Sequence, residues 1–273
     1  NKVYDGLTTA TTTLTFSGLI GSETLDQTVL STFNNKNVGT GKTVTVNSIT
    51  IADGTNGGLA GNYSISPGQS TTANITAKSL TVSGITASDK IYDGSTSATL
   101  DPSLVVYNGL VTGDTFNGSY TGVFSNANVG TGKTVTITSS YTGADVSNYN
   151  ITNQTSTTAD ISAKALTATA SASNKTYNAT NSASVTLTLS GLIGSETLGS
   201  TNTSTFNNKN VGTGKTVTVN SITLANGSNG GLAANYSIST GQTTTANITA
   251  KSLTVSGITA SNKTYDGNAV ATL

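Results

Sequence analysis

Apolar and polar residues alternate along much of this chain. Val44 and Val46 flank Thr45 in Lys-Thr-Val-Thr-Val, Val135 and Ile137 repeat the arrangement, and Val217 and Val219 repeat it again. A period of two puts successive side chains on opposite faces of an extended backbone, so these stretches predict β-strands with one buried face. Over one span the pattern predicts strands near 79–86, 98–100, 104–107, 119–124, 134–139, 149–152 and 158–163. Asp-Gly, Asn-Gly and Gly-Thr-Gly lie between them and suit tight turns.

The pattern recurs as a unit. Lys-x-Tyr-Asp/Asn returns at Tyr4, Tyr92, Tyr177 and Tyr265, spaced by 88, 85 and 88 residues. Val-Gly-Thr-Gly-Lys-Thr-Val-Thr starts at Val38, Val129 and Val211, and Asn-Tyr-x-Ile places tyrosines at Tyr63, Tyr149 and Tyr236. A fixed order of markers is the mark of a tandem array. About seven short strands per unit of about 85 residues predicts immunoglobulin-like β-sandwich modules, an all-β fold.

A shift of 173 residues maps 17–25 onto 190–198 and 33–50 onto 206–223 without a mismatch, so two module types alternate. We call them A and B. Unlike neighbours are less prone to exchange strands during folding, which gives the alternation a rationale.

Parity marks the boundaries. Ala73, Ile75 and Ala77 share one face, whereas Leu80 and Val82 have the opposite parity, so a last strand passes almost directly into the next first strand. Lys78-Ser79, Lys164-Ala165 and Lys251-Ser252 mark the junctions. The expected division is 1–77, an A module lacking its first strand; 78–163, a B module; 164–250, an A module; and 251–273, the first strand and Tyr-Asp-Gly turn of a further B module. Such short connections predict a stiff, elongated rod with a separate hydrophobic core in each module. The open first module and the strand at 252–261 also suggest donor-strand pairing between copies.

Composition narrows the function. Only 34% of residues are hydrophobic, which suits several thin cores better than one deep one. Charged residues are 9% and cancel to zero, unlike the charge-rich composition of disordered chains. All twelve cations are lysines spread along the chain, so neither nucleic acid nor a membrane surface is an expected partner. No apolar run is long enough to span a bilayer. Without Cys or His, thiol chemistry, imidazole acid–base catalysis and thiolate metal sites are absent. The two glutamates, Glu23 and Glu196, occupy matching Gly-Ser-Glu-Thr turns in separate modules and do not form a catalytic pair. The chain is therefore expected to be no enzyme and to use no cofactor or metal.

Four motifs in order, Lys90-Ile91-Tyr92-Asp93-Gly94, Asn128-Val129-Gly130-Thr131-Gly132-Lys133, Asn148-Tyr149-Asn150-Ile151 and Ala159-Asp160-Ile161, resemble the YDG-domain repeat. That family occurs as long tandem arrays in bacterial surface proteins similar to the filamentous haemagglutinins, often near related bacterial immunoglobulin-like (MBG) modules. The resemblance covers the whole chain. It implies export through a two-partner system at a Gram-negative outer membrane and a role in surface adhesion or biofilm, with no catalytic residues to transfer. The structural positions it marks are Tyr4, Asp5 and Gly6; Tyr92, Asp93 and Gly94; Tyr177 and Asn178; and Tyr265, Asp266 and Gly267. It also marks Gly39 and Gly41, Gly130 and Gly132, Gly212 and Gly214, with Tyr63, Tyr149 and Tyr236. The third copy departs from the pattern, having Ala179 in place of the turn glycine.

Several motifs have plainer readings. Gly39-Thr40-Gly41-Lys42-Thr43 lacks the earlier glycine of a phosphate-binding loop, with Lys36, Ala127 and Lys209 at that position, and is followed by a strand pattern where such a loop needs a helix. Asp53-Gly54-Thr55-Asn56-Gly57-Gly58 loses its only carboxylate in the counterpart starting at Asn226, which leaves a surface turn rather than a calcium loop. The motif tyrosines are expected to pack over thin cores with hydroxyls at the rim. Asn-x-Ser/Thr triplets are expected by chance in this composition and carry no inference of glycosylation. A Lys–Asn isopeptide crosslink with a carboxylate helper, of the kind some bacterial adhesin modules carry, is a minor alternative that an intact mass lower by one ammonia per bond would reveal.

The expected function is a spacer in the stalk of a secreted surface adhesin, with neighbouring modules as its partners. Direct glycan binding and self-association, including strand complementation between copies, are the alternatives. The host or surface receptor is not legible.

Overall fold

The computed structural model describes residues 1–271, and among these the regular structure is β-strand with three single-turn 3-10 helices. The fold is all-β, built of tandem sandwich modules. Its residues group into two compact units, Asn1–Lys90 with Ser95–Ile161, and Ile91–Gly94 with the chain from Ser162 onward.

The B module in the first unit shows the sandwich in full. Lys78–Ser83 is the middle strand of a three-stranded sheet, parallel to Tyr149–Thr152 and antiparallel to Val106–Asn108. The other sheet has five strands centred on Gly130–Thr142, which lies between Asn117–Phe124 and Ser156–Ser162. Alternation turns Leu80 and Val82 inward from the small sheet and Val135 and Ile137 inward from the large one. Val82, Ile85 and Ile137 pack together between the sheets, with Leu100, Tyr107 and Ile151 against them.

The strand expected over 79–86 breaks in two. Gly84 has φ +87°, and a Cβ there would lie 2.1 Å from the Leu104 carbonyl oxygen. The Gln154 side chain bridges the break, accepting from Ile85 N–H at 2.9 Å and donating to Ile85 O at 2.7 Å. The A-type counterpart has no such glycine, and Lys164–Ala172 runs unbroken, pairing with Val185–Ser190 as far as Ala172. The strand expected at 98–100 is also two: Ser97–Ala98 joins the large sheet while Leu100–Asp101 pairs with Thr86–Ala87. The strand expected at 104–107 is Val106–Asn108, and the one at 134–139 extends over Gly130–Thr142.

In the second unit, Lys164–Ala172 is the middle of a three-stranded sheet with Tyr236–Ile238 and Val185–Ser190. It faces a five-stranded sheet centred on Gly212–Asn226, and Phe206, Val217, Ala246 and Ile248 form the core with Val185 against them. The first A module has the five-stranded sheet alone, centred on Gly39–Asp53. Among the described residues it has no small sheet: 12–17 and 63–65, which correspond to Val185–Ser190 and Tyr236–Ile238, form no strand.

Residues 252–261 form no strand, contrary to expectation. Leu253 and Val255 are 89% and 79% exposed, whereas Leu80 and Val82, in the same sequence context, are buried. The small sheet's flanking strands, which bury that sequence in the B module, do not accompany it here. The last two residues of the expected 251–273 segment lie outside the described residues.

Contrary to the expectation of a separate core in each module, the first unit holds a core that crosses the module boundary, beside clusters confined to one module. In the first unit one buried cluster runs from Tyr4, Phe33, Val44 and Ile75 of the A module to Leu80, Phe116 and Tyr149 of the B module. The direct passage from Ser70–Thr76 to Lys78–Ser83 leaves only Ala77 between strands, which brings the end of one core against the start of the next.

Candidate functional site at the module junctions

The Tyr-Asp-Gly turn follows the short edge strand Lys2–Val3 of the first module. Tyr4 continues the ladder, its N–H donating to Thr76 O at 2.9 Å. Asp5 closes the turn by accepting from Leu7 N–H at 2.9 Å and pairing with Lys2 at 2.7 Å. Gly6 has φ +79°, and a Cβ there would lie 2.8 Å from Val111 Cγ1 of the B module. Its place therefore demands glycine twice, for conformation and for close approach.

Tyr4 is 1% exposed, yet its hydroxyl does not sit at a rim. It donates to the Asp114 carboxylate, at 2.9 Å from Oδ2. Tyr149 donates to the same oxygen, and the two rings meet edge-on with centroids 5.6 Å apart. Asp114 ends a tight turn, its N–H donating to Val111 O at 3.2 Å, and Val111 N–H donates to the Tyr149 hydroxyl at 2.9 Å. Lys36 adds a cation 3.0 Å from Asp114 and 2.9 Å from Asp145. Asn148, buried beside Tyr149, accepts from Val38 N–H at 2.9 Å. All three repeat markers, the Tyr-Asp-Gly tyrosine, the valine before Gly-Thr-Gly and the Asn-Tyr pair, thus converge on one junction.

The second unit repeats the arrangement. Tyr92 and Tyr236 each donate to Glu196 at 2.6 Å, and their rings are edge-on at 5.4 Å. Glu196 N–H donates to Ile193 O at 3.0 Å and Ile193 N–H to the Tyr236 hydroxyl at 3.0 Å. A Cβ on Gly94, φ +77°, would be 3.0 Å from Ile193 Cγ2. In the first module Tyr63 donates to Glu23 and accepts from Ile20 N–H at 3.1 Å, which is the acceptor half of the same clasp.

These contacts set the ionisation of the groups. Burial raises the Asp114 carboxyl, but hydrogen bonds from Tyr149, Lys36 and Tyr4 outweigh it and hold the group below the ordinary carboxylate range. Lys36 and the Thr115 N–H depress Asp145. The Lys36 ammonium is pushed up by Asp145, Asp114 and Tyr4. Burial, then the bond to Glu196, lifts the Tyr92 phenol to about 12. In the first unit the site is consequently a pair of ionised carboxylates bridged by one lysine, with phenols as donors.

The remaining positions marked in the sequence fall elsewhere. Tyr177 is half-buried against the third module's core, and Asn178 accepts from the Thr180 N–H at 3.2 Å. Ala179 takes the glycine's left-handed conformation, φ +66°. Asp266 pairs with Lys263 at 2.6 Å, Gly267 has φ +75°, and Tyr265 is exposed. Asp93 lies in the turn between Tyr92 and Gly94. Gly39, Gly130 and Gly212 open the long strands, each at a register shift. Gly41, Gly132 and Gly214 donate N–H bonds to Asn74, Asp160 and Asn247 at 2.7–2.8 Å. The following lysines fold back onto Asn35, Asn126 and Asn208, so this motif builds a bulged hairpin. Among the described residues no cluster of three or more carboxylates could hold a metal ion.

Asp114, Glu23 and Glu196 were missed as junction residues. A signal existed: Gly-Leu-Ile/Val-x-x-Glu/Asp-Thr occurs at Gly18, Gly109 and Gly191, keeping a carboxylate each time in a chain with few.

No curated protein and no solved structure matches the chain. The YDG domain profile matches three consecutive stretches, residues 1–73, 76–159 and 162–246, which together cover most of the sequence. With repeat, sandwich and junction all tandem, the chain belongs to the YDG-domain family.

Proposed function

We propose that these modules are stalk repeats of a secreted bacterial surface adhesin, serving adhesion or biofilm by setting the distance between cell and ligand. The observation that carries this reading is the use made of the repeat markers. The Tyr-Asp-Gly tyrosine, the valine before Gly-Thr-Gly and the Asn-Tyr pair fasten module to module. Use of the same motif positions at both junctions supports a role in linkage. The family's occurrence in exported arrays supports an extracellular location, and the inventory of side chains supports a non-enzymatic role.

Small-angle scattering on the purified chain tests the proposal. Using ~3.3 Å per strand residue, each module adds about 30–45 Å to the maximum dimension. A maximum dimension no greater than that of a compact particle of the same mass would overturn it. One observation favours a second reading, self-association: residues 251–271 carry a first-strand sequence with its apolar side chains in solvent. A particle mass that rises with concentration, and stops rising when Leu253 and Val255 are changed to Ser, would establish strand complementation instead.

A further inference from the structure

The junctions differ in charge. In the first unit the A module contributes Lys36 and the B module contributes two carboxylates, Asp114 and Asp145, whose side chains are 2% and 10% exposed. The Tyr4 hydroxyl lies 2.9 Å from one and 3.5 Å from the other. In the second unit Glu196 receives both phenols. The position of Asp145, just before the 3-10 turn, is Leu232 there and Leu59 in the first module. A modules thus present one carboxylate to their predecessor, and the B module presents two.

The donor side varies in step. Lys36 sits in an Asn-x-Asn loop where Asn35 accepts from Asn37 N–H at 3.0 Å. The same bond at 3.0 Å joins Asn126 to Asn128, and Asn208 to Asn210, so the three loops are equivalent. Their middle residues are Lys36, Ala127 and Lys209. Lysine appears in both A modules and alanine in the B module. The A module at 164–250 is followed by Lys-Ser-Leu-Thr-Val-Ser-Gly-Ile-Thr-Ala-Ser, the opening of the B module.

We propose that this pairing is an order code, in which Lys36 is the specificity-determining residue that admits a two-aspartate module as successor and Ala127 bars one. Two carboxylates beside one phenol repel each other, and removing them from water without a cation is costly. In the A–B order one lysine bridges both carboxylates, screening their mutual repulsion and reducing the net charge from two negatives to one. In a B–B order the loop offers only a methyl group and the pair stands uncompensated. The code is one-sided, since a lysine opposite a single glutamate carries no such penalty, and A–A order is left to shape. The surface around Asp114 and Asp145 therefore fits one kind of partner, an A-type end bearing lysine and tyrosine, on this chain or on another copy.

This inference goes beyond the stalk reading, and scattering, which tests that reading, leaves it untouched. Hydrogen exchange on the whole chain tests it, read at Val38 and Val111, whose amides bond across or beside the junction to Asn148 and Tyr149. Lys36→Met retains an unbranched aliphatic side chain but not the charge, which lies 5.9 Å from the Tyr4 ring centroid. It should speed exchange at both amides by about tenfold, the scale of one weakened charge-assisted contact. Asp145→Asn still accepts from Thr115 N–H. Added to Lys36→Met it should slow exchange again, whereas in the natural chain the same change should speed it. That reversal of sign is the expected result. Equal effects of Asp145→Asn in both backgrounds, or no effect of Lys36→Met, would overturn the code.

Discussion

Tyr4 tests whether two modules share one interior. Its ring meets that of Tyr149 and belongs to one buried cluster with Phe33, Val44 and Ile75 on one side of the boundary and Leu80, Phe116 and Tyr149 on the other. Tyr4→Phe removes only the hydroxyl. A hydrogen bond to a charged acceptor contributes about 1.5–3 kcal/mol, and because Asp114 keeps Tyr149 and Lys36, the loss should fall near the lower bound. Tyr4→Ala also deletes the ring, for which about 3–5 kcal/mol is typical of a buried aromatic. The difference between the two variants, about 3–5 kcal/mol, is the share carried by packing. Urea denaturation gives the totals, and hydrogen exchange shows where they are felt. If the interior is common, Tyr4→Ala lowers protection in Leu25–Phe33 and Gly39–Asp53 and also in Lys78–Ser83 and Tyr149–Thr152. Protection lost only before residue 77, with the B module unchanged, would refute the argument.

Three further expectations follow from the same geometry. Ala179→Gly should stabilise the third module by about 1 kcal/mol, because an L-residue held at φ +66° is strained and glycine is not; a lower thermal midpoint would contradict this. Gly94→Ala should destabilise the second unit by about 1–3 kcal/mol through strain and contact with Ile193, measured by the urea midpoint, and Ile193→Ala in the same chain should return part of the loss. The Tyr92 phenol is raised in the fold, so its contribution is complete below the unfolded value of about 10 and drains as pH climbs through about 12; Tyr92→Phe should flatten that alkaline loss, and an unchanged slope would exclude Tyr92 as its source.

Much of the fold could be read in advance because its signals are local or periodic. The alternation around Val44, Val135 and Val217 gave the central strands, and Tyr149–Thr152 forms as expected. Where a single glycine breaks a strand, as at Gly84, periodicity has no voice, since the cause is the Leu104 carbonyl twenty residues on. The junction was hidden for a related reason. Tyr4 and Asp114 are 110 residues apart and Tyr92 and Glu196 are 104 apart, more than one repeat, so comparing repeats assigns each marker to its own module. Low aromatic content suggested that each tyrosine serves a local core, and that is half true. The ring does so, while the hydroxyl reaches the successor. Glu23 and Glu196, too far apart to act as an acid–base pair, proved to be acceptors at the same place in two modules.

Ile91–Gly94 groups with the second compact unit although the B repeat continues to about residue 159. The period written in the sequence and the period of cohesion are therefore out of phase by one turn. A fragment cut at repeat boundaries parts a tyrosine from the acid that receives it. Gene duplication or loss of a whole A–B pair does not, since it adds or removes as many donors as acceptors and leaves every remaining joint filled. An array built this way can lengthen or shorten over generations in fixed increments without any compensating change.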